Sequence, residues 1–385
     1  MTPVYIASDN IITSLGFSTE ENCVQIKSGV IGLTKIDDIS LSPTPFYASR
    51  IDFDKVETRF AEIARTAALY TRLEKLAILS ISDALSKTNI DITTENTLFI
   101  LSTTKGNIDV LQSEQINALG KQSLYLWESA RCIKDFFNMS TTPTVISNAC
   151  ISGVLAVIMG SRMIRSGQYK NVVITGVDIL SKFVVSGFQS FQALSSHPCR
   201  PFDKARDGLN LGEGCGTVIL TSDKKFISYT NPILVGGGSS ANDANHISGP
   251  SRTGEGLYLS IKQILDNPFT AIDSIDYISA HGTATLYNDE MESIALTRAG
   301  LENVPVNSLK GYWGHTLGAA GVIESIAGIY SLKNDVLFQS VGYDEHGVSQ
   351  AINLIQKTTE KKLNTCLKMA SGFGGCNAGV LFYKG

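Results

Sequence analysis

The sequence contains no run approaching the roughly 20 apolar residues that a membrane span requires. Its opening stretch, MTPVYIASDN, has neither the charged nor the apolar segment of a secretory signal, so a cytoplasmic protein is expected. No excess of basic charge is present either. A formal net charge of −4 and a pI near 5.8 give no general field for holding nucleic acid, and that class of partner is excluded as a first reading. The seven cysteines, at 23, 132, 150, 199, 215, 366 and 376, are odd in number and contain no C-x-x-C pair. That argues against both a disulfide framework and a zinc knuckle. Five histidines without H-x-x-x-H or H-x-x-E-H spacing give no local metal site, and no metal is expected. No Pro-rich or Gly/Ser-rich linker divides the chain, so any two halves should pack tightly.

What is present is ordinary globular material: 385 residues, 43% hydrophobic and 18% charged, enough for two core-bearing halves or one duplicated domain. Short β-rich runs (VYIAS, TLFILS, TPTVIS, NVVITGVDIL, GTVILTSD, IDYISAHG and AGVLFYKG) alternate with helical stretches, implying α/β layers around buried sheets. Helices are predicted over Ala61–Lys87, Cys150–Arg165, Asp289–Ala299 and Leu317–Leu332, and a strand over Thr142–Ala149. An internal echo pairs CISGVLAVIM from Cys150 with HTLGAAGVIE from His315. Each opens a small-residue helix with a glycine three places on, Gly153 and Gly318, which makes His315 the counterpart of Cys150 and hints at duplication.

Four stretches carry candidate chemistry. In SNACISG, Cys150 lies between a strand and a helix. At a helix N-terminus its thiolate would be favoured, but a buried apolar filler fits the same stretch. In AHGTATLYNDEMES, His281 precedes Thr283 and Thr285, whose alternate spacing in an extended segment would aim two hydroxyls the same way, while Asn288 and Asp289 suit a helix cap. In NSLKGYWGHTLGAAGVIESIAG, Lys310 and His315 bracket a glycine-containing turn. Glu324 stands nine residues beyond His315 in an apolar run and needs a partner, for which Lys310 is the candidate; a surface Lys and a water-facing Glu are the alternative. In ASGFGGCNAG, three glycines around Phe373 allow close backbone approach to a ligand or simply a tight turn. Asn377 in the third glycine position rules out a dinucleotide fingerprint.

Together these runs resemble the β-ketoacyl synthase family, in its Cys-His-His branch. IITSLGFSTEENCVQIKSGVIGL is similar to the family's N-terminal strand and helix, and RPFDKARDGLNLGEGCG to its R-P-F-D-x-x-R-D-G run. H-G-T-x-T-x-x-N-D-x-x-E is matched from His281 to Glu292, K-x-x-x-x-H by Lys310 and His315, and G-F-G-G by Gly372 to Gly375. The resemblance implies a thiolase-like fold, two duplicated halves in a five-layer αβαβα sandwich, with residues 1–223 carrying the nucleophile and 224–385 the two catalytic histidines. It implies Cys150 as the acylated nucleophile, His281 and His315 as donors to an enolate, and Lys310 with Glu324 as supports. It also implies backbone N–H groups of Cys150 and Phe373 as the oxyanion hole, each worth about 3 kcal/mol, Phe373 as an acyl gate, and Thr283 and Thr285 as binders of a phosphopantetheine arm. The implied activity is decarboxylative condensation of an acyl chain on Cys150 with malonyl-acyl carrier protein, an acyltransferase reaction that uses no cofactor. The implied partners are acyl carrier protein, acyl and malonyl thioesters, and a second subunit in a homodimer or a heterodimer with a related chain.

Departures from the pattern leave the substrate open between fatty acid and specialised polyketide or polyene synthesis. Ile151 follows the nucleophile, Ala284 interrupts the threonines and Ser371 replaces a second aromatic. Residues 107–138 show no family pattern and are expected at the acyl pocket or a dimer contact. Two rival readings are a thiolase, with Cys376 as the second cysteine, and a non-catalytic subunit that sets chain length beside an active synthase.

Overall fold

The computed structural model describes residues 2–64, 69–227, 231–243, 249–267 and 275–385. Ten strands form one continuous sheet. Its first five are β1 (Tyr5–Ile12), β2 (Thr97–Ser102), β3 (Thr144–Ile146), β4 (Asn171–Asp178) and β5 (Gly214–Thr221). The second five are β6 (Ile233–Asn242), β7 (Tyr277–Ser279), β8 (Val306–Asn307), β9 (Thr365–Gly372) and β10 (Cys376–Lys384). The spatial order is β3-β2-β4-β5-β1-β6-β10-β9-β7-β8.

Numbered within each half, both sets of five run in the order 3-2-4-5-1. In both, strand 5 is antiparallel to strands 1 and 4, while strand 2 is parallel to strands 3 and 4. The same order and the same senses, twice, are a stronger sign of duplication than the short sequence echo. Within the sheet the halves join where β1 runs beside β6, at the register pair Tyr5 and Leu234, with the Val235 N–H donating to the Val4 carbonyl at 2.9 Å.

Helices α1 (Arg72–Leu85), α2 (Ser152–Arg165), α3 (Lys182–Ser190), α4 (Glu255–Leu265), α5 (Leu286–Arg298) and α6 (Ala320–Asn334) complete the frame. Helix α1 covers the outer face of β1, β4 and β5. Helix α4 covers β6 and β10, with α5 against it. Between the two halves of the sheet lie α2 and α6, packed on each other and on strands of both halves. That position explains their sequences: a helix enclosed on all sides is apolar all round, as VLAVIMG and AGVIESIAG are. Their backbones cross at Gly153 and Gly321. A Cβ on Gly153 would stand 2.6 Å from the Val322 nitrogen, and one on Gly321 would stand 2.4 Å from that of Val154.

This crossing corrects the echo. Helix α2 starts at Ser152 and α6 at Ala320, after a tight turn at Leu317–Ala319. Gly153 therefore corresponds to Gly321 rather than Gly318, and the positional counterpart of Cys150 is Gly318, not His315. The predicted helix over Ala61–Lys87 is also two helices, Phe53–Ile63 and α1; part of the predicted span, 65–68, lies outside the described residues. Helix α1 has its own start signal, a capping box in which Thr71 and Glu74 satisfy each other's backbone N–H. The strand expected over Thr142–Ala149 narrows to Thr144–Ile146. Each of the seven β-rich runs contains a strand, but β6, β8 and β9 were not anticipated: three consecutive glycines and a lysine disguise β6 and β9, and β8 is only two residues long. Among the described residues no helix is long and apolar enough to cross a membrane.

Because the α2–α6 crossing has no room for a methyl group, Gly153→Ala should destabilise the protein by about 1–3 kcal/mol, read as a lower urea midpoint. Gly187→Ala, in α3 with no atom within 4 Å of the added carbon, should be neutral or stabilise by up to about 1 kcal/mol. Equal midpoints for the two variants would show that the crossing is not tight.

Candidate active site

The turn from β3 into α2 places Cys150. Ala149 adopts a left-handed conformation at φ 43°, unusual for a residue with a side chain. The Ser152 hydroxyl holds it there, accepting from the Asn148 N–H at 2.7 Å and donating to the Ala149 carbonyl at 2.6 Å. Cys150 thus precedes the helix cap, Ile151, rather than occupying the first helical turn. Burial, with the Asp178 and Glu324 carboxylates, pushes its thiol up to about 11, against the opposing pull of Lys310 and Lys105. The expected resting thiolate is therefore not what this environment favours, since desolvation of the anion outweighs nearby positive charge.

His281 follows β7 and His315 follows β8, in the loop before α6. The Cys150 sulfur and one ring nitrogen of each histidine lie within 4.8 Å of one another. The two rings meet edge to face with centroids 5.1 Å apart. Burial, followed by the charge of Lys310, holds both imidazoles well below the usual histidine range, so both are neutral at pH 7. Among the described residues neither ring nitrogen of His315 has a hydrogen-bond partner, although the residue is buried.

The tautomer of His281 follows from its neighbour. The Lys310 ammonium, which can only donate, stands 3.3 Å from Nδ1. Nδ1 therefore accepts and Nε2 carries the proton. Lys310 also donates to the His281 carbonyl and to Glu324 Oε1, each at 2.6 Å, so the expected Lys310–Glu324 pairing is present and deeply buried. Two features were missed. Lys368 on β9 reaches Glu324 Oε2 at 2.5 Å. Glu292 on α5 accepts the N–H groups of His281 and Gly282 at 2.7 and 2.6 Å, and burial with the charge of Asp289 pushes its carboxyl up to about 7.

The Thr283 and Thr285 hydroxyls do converge, 2.9 Å apart, but not by extended alternation: Ala284 between them is left-handed at φ 61°. Asn288 and Asp289 lie inside the first turn of α5 instead of capping it. Asp289 accepts from the Thr283 and Phe202 N–H groups at 3.0 and 2.7 Å, tying the histidine loop to the R-P-F-D run. Phe373 occupies the β9–β10 loop, where Gly374 and Gly375 take positive φ. A Cβ on Gly372 would lie 3.1 Å from the Cys150 nitrogen, so this loop passes directly beside the nucleophile. Phe373 is part-exposed and packs against Phe188 and Phe191.

One cleft is lined by Cys150, His281, Thr283, Thr285, His315 and Phe373. A second, mostly apolar cavity of about 270 Å³ opens from Cys150 past Phe188, Phe191 and Phe373. Cys150, His281, Thr283, Thr285, His315 and Phe373 thus line one site, which Lys310 and Glu324 support from behind. Cys376 does not line either cleft; its sulfur lies 3.4 Å from Asn242 Nδ2. The sulfur and two imidazoles could in principle hold a thiophilic metal, but the Lys310 and Lys368 ammonium groups behind them make the site a poor host for a dication.

Comparison with known proteins places this arrangement. The model for the N-terminal domain of β-ketoacyl synthases matches residues 1–225, and that for the C-terminal domain matches 233–344. The chain is 27% identical to a putative mitochondrial 3-oxoacyl-[acyl-carrier-protein] synthase of Schizosaccharomyces pombe, over 100% of this chain and 99% of the relative. It is 28% identical to the tetracenomycin polyketide synthase ketoacyl synthase alpha subunit of Streptomyces glaucescens, over 92% and 91%. The solved ishigamide ketosynthase/chain length factor superposes with a TM-score of 0.87 over 99% of both chains at 23% identity. The two-layered sheet, enclosed helix pair and outer helices are the thiolase fold.

The buried thiol makes a direct prediction for reactivity. Iodoacetamide labelling of Cys150 should accelerate with pH without levelling off below about 10, yet precede labelling of Cys132, Cys199, Cys215 and Cys366, which are pushed up to about 12. A plateau near neutral pH would show that the helix end outweighs burial.

Proposed function

The chain belongs to the β-ketoacyl synthase family, and from that membership we infer that it is a condensing acyltransferase, a 3-oxoacyl-[acyl carrier protein] synthase. The observation that supports this most directly is the convergence of the Cys150 sulfur with His281 and His315 in one cleft. A chain-length-setting subunit would not need the thiol, and among the described residues the ring nitrogens of His315 have no hydrogen-bond partner.

In the first half-reaction Cys150 attacks the thioester carbonyl of an acyl chain on its carrier. The thiol proton leaves as the C–S bond forms, passes through a neighbouring imidazole, and ends on the departing carrier thiolate. The developing oxyanion is held by the Cys150 and Phe373 N–H groups, which the close approach at Gly372 brings together. Malonyl carrier then enters with its pantetheine arm along Thr283 and Thr285. The bond to its carboxylate breaks, CO₂ leaves, and the electron pair becomes an enolate whose oxygen accepts from His281 Nε2–H and from His315. The enolate carbon attacks the Cys150 thioester, the tetrahedral intermediate expels the Cys150 thiolate, and that sulfur takes a proton from solvent as the 3-oxoacyl carrier departs. Lys310 acts through His281, fixing its tautomer, and is not a base: its ammonium is committed to Glu324 and the His281 carbonyl.

The apolar cavity beyond Phe373 suits the acyl chain, with Phe373 as its gate. Leu111, Tyr125, Trp127, Phe183 and Phe191 are each more than half exposed, on the segment 108–136 and on or beside α3, which contact each other. A second copy of the chain covering this face in a homodimer would remove that apolar area from water; a related chain is the heteromeric alternative. The division into halves at 223/224 is part of the same proposal, supported by the repeated strand order.

The roles separate by mutation. His281→Ala and His315→Ala should each slow CO₂ release from malonyl carrier by about 10²–10⁴-fold, with Cys150 acylation less affected. Cys150→Gln should release CO₂ while forming no 3-oxoacyl product. Continued condensation by that variant would remove Cys150 from the mechanism, and equal loss of both steps in a histidine variant would mean that its role lies elsewhere.

A further inference from the structure

The proposed chemistry uses Lys310, Glu324 and the histidines, and leaves one buried charge without a purpose. Lys368 lies on β9 with none of its surface exposed. Its ammonium meets Glu324 Oε2 at 2.5 Å, the Ala280 carbonyl at 2.9 Å and the Ser279 carbonyl at 3.3 Å. Lys310 meets the other oxygen of the same carboxylate and the next carbonyl in sequence, that of His281. Two ammonium groups joined by one carboxylate therefore grip three consecutive carbonyls, residues 279 to 281, at the point where β7 hands over to His281. A Lys310–Glu324 pair alone would be neutral. Adding Lys368 gives this trio a net charge of +1, offset only in part by Glu292, whose carboxyl burial and Asp289 push up to about 7, and burying an ammonium in that state is costly. A methionine would fill the same strand position without that cost.

We propose that Lys368 is a positioning residue for the histidine pair, which through Glu324 fixes the backbone of His281 and gives the site a net positive charge that matches the anionic malonyl group and its enolate. This rests on the synthase reading above. Lys310 and Lys368 are the charges that act on both rings; the Cys150 thiol lies beside them, itself under Lys310, Asp178, Lys105 and Glu324, while Glu324 and Glu292 act on Lys368, with Tyr277 and Cys366 close to Glu324 and Lys368. Lys368 is among the charges that disfavour the imidazolium form of both histidines, and that form could not accept the thiol proton.

Charge arithmetic supplies the test. Lys310, Glu324 and Lys368 sum to +1; Lys368→Met brings the sum to 0; Lys368→Met with Glu324→Gln restores +1. Imidazole nitrogen shifts, followed by NMR against pH in protein labelled at histidine, should show His281 and His315 protonating about one pH unit higher in Lys368→Met, and returning toward the native value in the double variant. The acidic limb of CO₂ release from malonyl carrier should move up by the same amount, with a plateau about tenfold lower and acylation of Cys150 changed far less. If Lys368→Met does not accumulate folded, Lys368→Gln carries the same expectation, because its amide can still donate to Ala280. Native imidazole titration in the folded single variant, or no return in the double variant, overturns the proposal. Absence of CO₂ release from the native protein overturns the synthase reading instead, and the NMR titrations still decide the role of Lys368.

Discussion

The site depends on how closely two backbones approach at Gly153 and Gly321. Cys150 lies in the first set of five strands and their loops and both histidines in the second, so the proposed chemistry needs the two held in fixed register. Removing every side chain atom from the crossing lets α2 and α6 touch through backbone, and the two loops that precede these helices are thereby brought face to face. Asp178 secures the same junction: it accepts from Thr103, Thr104 and the Gly318 N–H, while Ser102 donates to the Gly318 carbonyl. The turn that leads from His315 into α6 is thus fastened by the ends of first-half strands.

Duplication explains why the reactive groups fall where they do. Within each half, strands 2, 3 and 4 are parallel, so their C-terminal ends share one edge of the sheet. Cys150 follows strand 3 of the first half; His281, His315 and Phe373 follow strands 2, 3 and 4 of the second. Loops at such an edge can diverge while the strands that place them stay fixed. On the proposed mechanism the two halves divide the labour accordingly, one supplying the sulfur and the other the groups that manage negative charge.

Much of this was legible in the sequence because the relevant residues sit in short contiguous runs. SNACISG, HGTAT, the Lys310–His315 turn and GFGG each carry their own punctuation of glycine and hydroxyl residues, and the resemblance to a family ordered them. What could not be read was anything whose meaning depends on a distant partner. Asp178 ends an apolar strand and looks like a turn residue until Gly318 arrives 140 positions later. Lys368 reads as a fault in a strand until Glu324 is beside it; a cation within TCLKMASG was the available signal. The thiol of Cys150 was misjudged for the same reason, because a helix start is visible locally and burial is not. The echo misled by three residues because a single tight turn before α6 shifts the register without disturbing the pattern.

The order of the strands also bears on how the protein is made. Strand β10 is the last of the ten in the chain, yet it lies between β6 and β9, bonded to both along almost its whole length. A nascent chain that has produced β6 to β9 still has a gap in the middle of its second sheet, with two unpaired edges and no fixed course for the Phe373 loop. The first half can close its own sheet while synthesis continues, but the second must wait for β10, the last of its strands to be made, to be threaded between β6 and β9. On the proposed mechanism Cys150 can therefore be in place long before the histidines that would make it useful, and its thiol becomes an acylation site only once β10 has closed the second half and fixed the Phe373 loop.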